Sequence, residues 1–344
     1  MSAGDVTAVV LTVDEPSTDR ALASVARQTP AVAAVVVVRG TVPFHRALNA
    51  GAAQVRTPYF VQVDADMVLD PTCCAGLRAC MADNVGVVIG FLRDPLIGRV
   101  GGIKLFRAAC FADEQFPDSI SPDTDFYRSI ERRGWAIAYA LRDPSTPGEP
   151  RHVFGDHLPD YTPHYTFRKF AVLGARHRHR RAAVTLLQLV RRLHASPHPA
   201  ALVALIGTAY GISLPTGRDL LAPDAPGADF ERLAGFLARA GAAADPPEAV
   251  RAIEQLAPRA AWERGYRCGL ALHGDQAAAP FVAALRHLGA AMAGEHGPIA
   301  WAALAGLCHG LFADTFDAAA VDDAFARLNQ VLPKRLRERP GGRA

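Results

Sequence analysis

Three strongly apolar segments, Val6–Val13, Ala31–Val38 and Tyr59–Val63, alternate with stretches of helical periodicity, and this alternation constrains the fold more than any other feature. Helical patterns cover Asp19–Arg27, His45–Val55 and Pro71–Ala82, and Val85–Phe91 reads as a further strand. Continuous apolar runs suit strands covered on both faces. Strands alternating with helices therefore predict an α/β fold with a mostly parallel central sheet. In such a sheet ligands sit beyond the carboxyl ends of the strands, which is where Asp14, Arg39, Asp64 and Asp66 fall.

The pattern changes in the second half. Pro, Gly and charged residues crowd Asp143–Pro150, and Tyr161–Arg218 contains no Asp or Glu. From Arg180 the chain reads as alanine-rich helices punctuated by prolines, with no internal repeat. The expected division is 1–175 as the α/β domain, 176–333 as a helical domain and 334–344 as a basic tail. Ala200–Leu214 is interrupted by Gly207 and Gly211 and is shorter than the ~20 residues that cross a bilayer, so it reads as a buried helix.

Half of the residues are apolar and 21% are charged, the balance of a folded chain. A net charge of +3 does not point to nucleic acid. Met1–Gly4 runs into the first strand without a basic leader, and the six cysteines form no CxxC pair. Both features predict a cytoplasmic protein with reduced cysteines.

Val61-Gln62-Val63-Asp64-Ala65-Asp66 is the most informative stretch. Two carboxylates one residue apart at the end of a buried strand concentrate negative charge, and a divalent cation would relieve it. Oxygen ligands favour Mg2+ or Mn2+, either of which can neutralise a diphosphate leaving group. An ordinary acidic turn, with Asp64 as a cap, is the alternative.

The acidic turn follows Arg46-Ala47-Leu48-Asn49-Ala50-Gly51-Ala52 and Thr57-Pro58-Tyr59-Phe60. The whole run resembles the nucleotide-sugar half of glycosyltransferase family 2 and related enzymes of the GT-A fold. Val9-Val10-Leu11-Thr12-Val13 and Ala21-Leu22-Ala23-Ser24-Val25-Ala26-Arg27-Gln28-Thr29 resemble that family's first strand and helix. The resemblance implies that Asp64 faces the sugar or ribose and that Asp66 ligates the metal holding the diphosphate. It leaves Arg46 either to touch the nucleotide or phosphate or to be a solvated helix residue, with Asn49 leaning structural. The chain departs from the family at Val36-Val37-Val38-Arg39, where an aspartate pair usually reads the base. Arg39 cannot accept from a base N–H, so either Asp14 supplies that contact or the nucleotide is unusual.

Downstream, Ser121-Pro122-Asp123-Thr124-Asp125 opens a helix that ends in Arg132-Arg133-Gly134-Trp135. The run resembles the family's ED motif and its RRG-plus-aromatic helix end, with Pro122 replacing the glutamate. By that resemblance Asp123 is the general base and the reaction inverts configuration. Asp125 is the second candidate, or else a helix-start carboxylate favoured by the dipole. Gly101-Gly102 reads as a flexible turn where a sugar could approach the backbone.

Some GT-A enzymes complete the metal shell with a C-terminal histidine, a role that falls here on His157 or His164. Imidazole suits Mn2+ better than Mg2+. Arg168 and Lys169 read as a diphosphate clamp. The later arginines, through Arg192, belong either to a packed surface helix or to an amphipathic helix at the inner face of the cell membrane. No nucleic-acid module accompanies the charge. The function these readings imply is metal-dependent transfer of a sugar from a nucleoside-diphosphate donor to a hydroxyl-bearing acceptor, whether glycan, lipid-linked or small. A sugar-phosphate nucleotidyltransferase is the alternative enzyme, but Val13-Asp14-Glu15-Pro16-Ser17 lacks its glycine-rich loop. A noncatalytic scaffold fits the three retained aspartates less well, and homo-oligomerisation is left open.

Overall fold

The apolar runs of the first half do form the strands of one sheet. The structure, a computed structural model, describes residues 3–140, 152–213, 246–251, 253–272, 297–312 and 318–329, with single helical positions between 227 and 291. The chain divides into two compact units, Met1–Asp160 and Tyr161–Ala344. The boundary expected near residue 175 falls within a helix, Pro163–His179.

In the first unit β1 (Val6–Thr12), β2 (Ala34–Arg39) and β3 (Tyr59–Asp64) are parallel, joined by α1 (Thr18–Ala26) and α2 (Phe44–Ala52). Then come β4 (Met67–Leu69), α3 (Cys73–Ala79), β5 (Val85–Asp94), β6 (Gly98–Arg107), α4 (Pro122–Arg132), β7 (Ala136–Tyr139) and β8 (Gly155–His157). The sheet runs β2-β1-β3-β6-β5-β8-β4, with β7 also paired to β5. It is mixed, which corrects the mostly parallel expectation. β6 inserts antiparallel between β3 and β5, and β8 pairs antiparallel with β4.

Two further expectations change. The valine run of β2 lies at the sheet edge, with Val35 and Val37 exposed, so its apolar density does not signal a central strand. Gly101 and Gly102 are inside β6 and do not form a turn. A Cβ on Gly102 would stand 2.9 Å from Leu92, so packing explains that glycine and no space for a sugar opens there.

Strand alternation sorts the core into two layers. Ala8, Val10, Val61, Val63, Ile103 and Leu105 pack in one layer with Ala21 and Val25 of α1 and Leu77 of α3. Val9, Leu11, Phe60 and Phe106 pack in the other with Leu48 of α2 and Phe126 and Ile130 of α4. Gly51 lets α2 lie against β1, since a Cβ there would meet the Val9 side chain at 2.4 Å.

The second unit is helical, with α5 (Pro163–His179), α6 (Ala183–Ala195), α7 (Ala201–Ser213) and later helices at Pro258–Ala271, Gly297–Phe312 and Ala318–Asn329. The apolar residues Leu186, Leu189, Val190 and Leu193 of α6 are buried, which favours the packed helix over one lying on a membrane. Arg178 is also buried and donates to the Ile212 carbonyl at 3.0 Å, so it leaves the expected basic face. Among the described residues no helix is long and apolar enough to cross a membrane.

Backbone contact holds these helices together. Cβ atoms on Gly207 and Gly211 of α7 would lie 2.5 and 1.9 Å from the Phe167 and Ala171 carbonyl oxygens of α5. Gly306 and Gly310 meet Trp262 and Tyr266 in the same way. Helix propensity alone favours Gly211→Ala by ~1 kcal/mol. The overlap with backbone should outweigh that gain and cost roughly 1–3 kcal/mol net. Urea unfolding of the full chain measures it, and a G211A midpoint at or above wild type would show that the helices can separate freely.

Candidate active site

On β3, Phe60, Gln62 and Asp64 point to the face that carries α2 and α4, so Asp64 and the start of α4 share one side of the sheet. Gln62 is buried and donates through Nε2 to Asp64 Oδ1 at 2.9 Å. Lys104 stands opposite Gln62 on β6. Burial raises the Asp64 carboxyl above its ordinary range and the Asp66 charge adds to the rise, while Lys104, Gln62 and His157 work against it. The turn thus crowds negative charge where water is scarce.

Beyond the turn, β4 pairs with β8 so that Met67 stands opposite His157. The Leu158 amide also donates to the Asp66 carbonyl at 2.7 Å. This short strand, which no pattern in the sequence marks, brings His157 to Asp66, with Nε2 3.3 Å from Oδ2. On its other side His157 Nδ1 lies 2.6 Å from Oδ2 of Asp94, whose side chain is fully buried. Sequence reasoning missed Asp94. It ends β5, 63 positions from His157, and no local pattern marks the pairing.

An ionised Asp94 requires the proton on Nδ1, which turns the Nε2 lone pair toward Asp66. Two acceptors 3.3 Å apart need a proton, on the ring or on Asp66, or a cation between them. Among the described residues no group of three His, Cys, Asp or Glu is arranged to hold a metal. Asp66 and His157 nevertheless form a two-donor set, and Mg2+-type sites commonly use one or two protein ligands with water and substrate phosphates completing the shell. A divalent cation shared with a diphosphate fits that chemistry, and the nitrogen donor favours Mn2+.

At the start of α4 the two candidate carboxylates have different surroundings. Asp123 accepts the Thr124 amide at 2.8 Å and lies 3.5 Å from the Ser121 hydroxyl. Asp125 accepts from the Ser119 hydroxyl at 2.6 Å and lies 3.6 Å from Arg128. Asp125 is built into the helix start, as a supporting residue would be. Phe126 stacks on Phe116 at 4.4 Å and contacts Phe106 edge-on, which anchors this turn to the β6 face. Asn49 exchanges two hydrogen bonds with the Phe116 backbone, 3.0 and 2.9 Å, so it ties α2 to the segment leading into α4.

The remaining predicted residues are placed as follows. Asp14 adopts φ +66 and pairs with Arg39 at 2.7 Å, both exposed, at the ends of β1 and β2. A base contact through Asp14 would share that carboxylate with Arg39. Arg46 is exposed on α2. In the second unit Lys169 sits over the Tyr161 and Tyr165 rings, and Arg168 is half-buried on the same helix. His164 packs edge-on against Phe230 at 4.9 Å.

No protein-family model and no curated protein matches the chain. Among solved structures it is similar to the mannosyltransferase PcManGT from Pyrobaculum calidifontis in complex with GDP-Man and Mn2+. That likeness has 15% identity and a TM-score of 0.38, over 68% of this chain and 79% of that one. It is also similar to S. aureus TarS 1-349, with 10% identity and a TM-score of 0.32 over 83% and 90% of the two chains. At these TM-scores neither likeness bears on what this chain binds or does.

Proposed function

We propose that the first unit is the catalytic half of a GT-A-type glycosyltransferase that moves a sugar from a nucleoside-diphosphate donor to an acceptor hydroxyl with inversion. The observation that carries this reading is the meeting of Asp66 and His157 Nε2 beside the partly buried Asp64, at the end of the strand where the sequence resembles the family's metal motif. Asp66 and His157 hold the cation, and Asp64 faces the donor sugar or ribose. When bound, the cation supplies charge neutralisation for the departing diphosphate.

Asp123 takes the proton from the acceptor hydroxyl as its oxygen attacks the anomeric carbon. The bond to the diphosphate oxygen breaks in the same step, and the nucleoside diphosphate leaves with the bonding pair. One carboxylate base without a covalent intermediate gives inversion. Arg46 is assigned to the nucleotide or its phosphates, and Asp14 to the base.

A thermal-unfolding screen with UDP, GDP and CDP, each with Mn2+, Mg2+ or EDTA, tests the reading and identifies the donor nucleotide. One nucleotide should raise the midpoint clearly more than the others, and only with a cation. No shift with any combination would contradict the proposal.

A further inference from the structure

Among the described residues the Asp94 carboxylate meets two separate sets of partners. Oδ1 accepts the Leu96 and Ile97 amides at 2.8 and 2.9 Å, closing the turn that leads into β6. Oδ2 lies 2.6 Å from Nδ1 of His157. A turn cap needs only the first oxygen. The second contact reaches across to β8 and restricts one ring. Two backbone amides donate to Oδ1, and an ionised carboxylate offers Oδ2 to the ring as an acceptor only. The ring must then carry a proton on Nδ1, as histidine ligands do when a carboxylate supports them from behind.

We infer that Asp94 is a positioning residue that fixes the tautomer and ring orientation of His157, so that Nε2 offers its lone pair to a cation held with Asp66. The inference rests on the cation site proposed above. It extends that site by a residue that touches neither the cation nor the substrate. The neighbouring pair makes the idea testable, because Arg93 holds Asp156 at 2.6 Å across the β5–β8 register. That ion pair keeps residues 94 and 157 adjacent when residue 94 is changed.

Asp94→Asn separates the two roles. The single carbonyl oxygen of the new side chain remains committed to Leu96 and Ile97, so its NH2 group faces His157. An NH2 can only donate there, which makes Nδ1 an acceptor and moves the ring proton to Nε2, the metal-facing nitrogen. The turn survives while the ligand is reversed.

The experiment has two arms. In the metal-free full chain, 15N NMR of labelled histidines, with His157 assigned from a His157→Gln spectrum, reads the tautomer. Calorimetric titration with Mn2+ reads the affinity. The wild-type ring should carry its proton on Nδ1. D94N should move that proton to Nε2 and bind Mn2+ ~10–100-fold more weakly, with little change in unfolding midpoint.

D94N with wild-type Mn2+ affinity overturns the inference. So does a neutral wild-type ring protonated on Nε2, a result that requires no variant to fold. A wild-type chain with the Nδ1 proton that binds no Mn2+ refutes the cation site itself, and Asp94's assigned purpose with it. The two failures are therefore distinguishable.

Discussion

Asp123→Asn is expected to lower sugar transfer by ~10²–10⁴-fold while donor affinity stays at the wild-type value. Asparagine keeps the size of the side chain and an oxygen that can accept the Thr124 amide, so the helix start should persist. What it loses is the ability to take a proton. A loss in turnover without a change in donor binding marks an interaction made only in the transition state. Asp125→Asn should cost less, because its partners Ser119 and Arg128 belong to the helix start. Transfer rates and donor affinities of both variants decide the point. Near-wild-type turnover in D123N with a large loss in D125N would exchange the two roles, and small equal losses would remove both from proton transfer.

The second large effect is expected at Asp66. D66N should weaken Mn2+ binding by more than ~100-fold, and His157→Ala by ~10–100-fold, taking the scale of outer-shell losses as a lower guide. The charge on Asp66 helps raise the Asp64 carboxyl, so in a protein without a cation it is a liability. This gives the opposite account its own signature. If the acidic turn holds no metal, D66N removes the repulsion on Asp64 together with the contact to His157, and it leaves Mn2+ affinity unchanged. Titration of the variant with Mn2+ separates the two accounts.

The parts of the molecule legible in the sequence are those governed by local pattern. β1, β3 and their helices follow from apolar runs and periodicity, and the acidic turn follows from two aspartates after such a run. The edge position of β2 was hidden because a valine run reports β-propensity and carries no information about neighbours. Gly101 and Gly102 read as a turn because glycine marks both bends and close packing, and the Leu92 side chain that Gly102 accommodates is known only from the strand pairing. β8 is three residues long, too short for periodicity to register. Asp94 was invisible for a related reason. Its carboxylate caps a local turn, and the contact with His157 exists only because β8 lies beside β5.

The most direct test of the central claim is calorimetric titration of the full chain with the nucleoside diphosphate chosen by the thermal screen, once with Mn2+ and once with EDTA. On the proposed reading the Asp64-Ala65-Asp66 turn would present carboxylates to a diphosphate, and without a cation like charges would face each other. The account predicts clear binding with Mn2+ and only weak binding with EDTA. Equal affinity under both conditions would contradict the role given to Asp66 and His157, and with it the metal-dependent transfer proposed for this site.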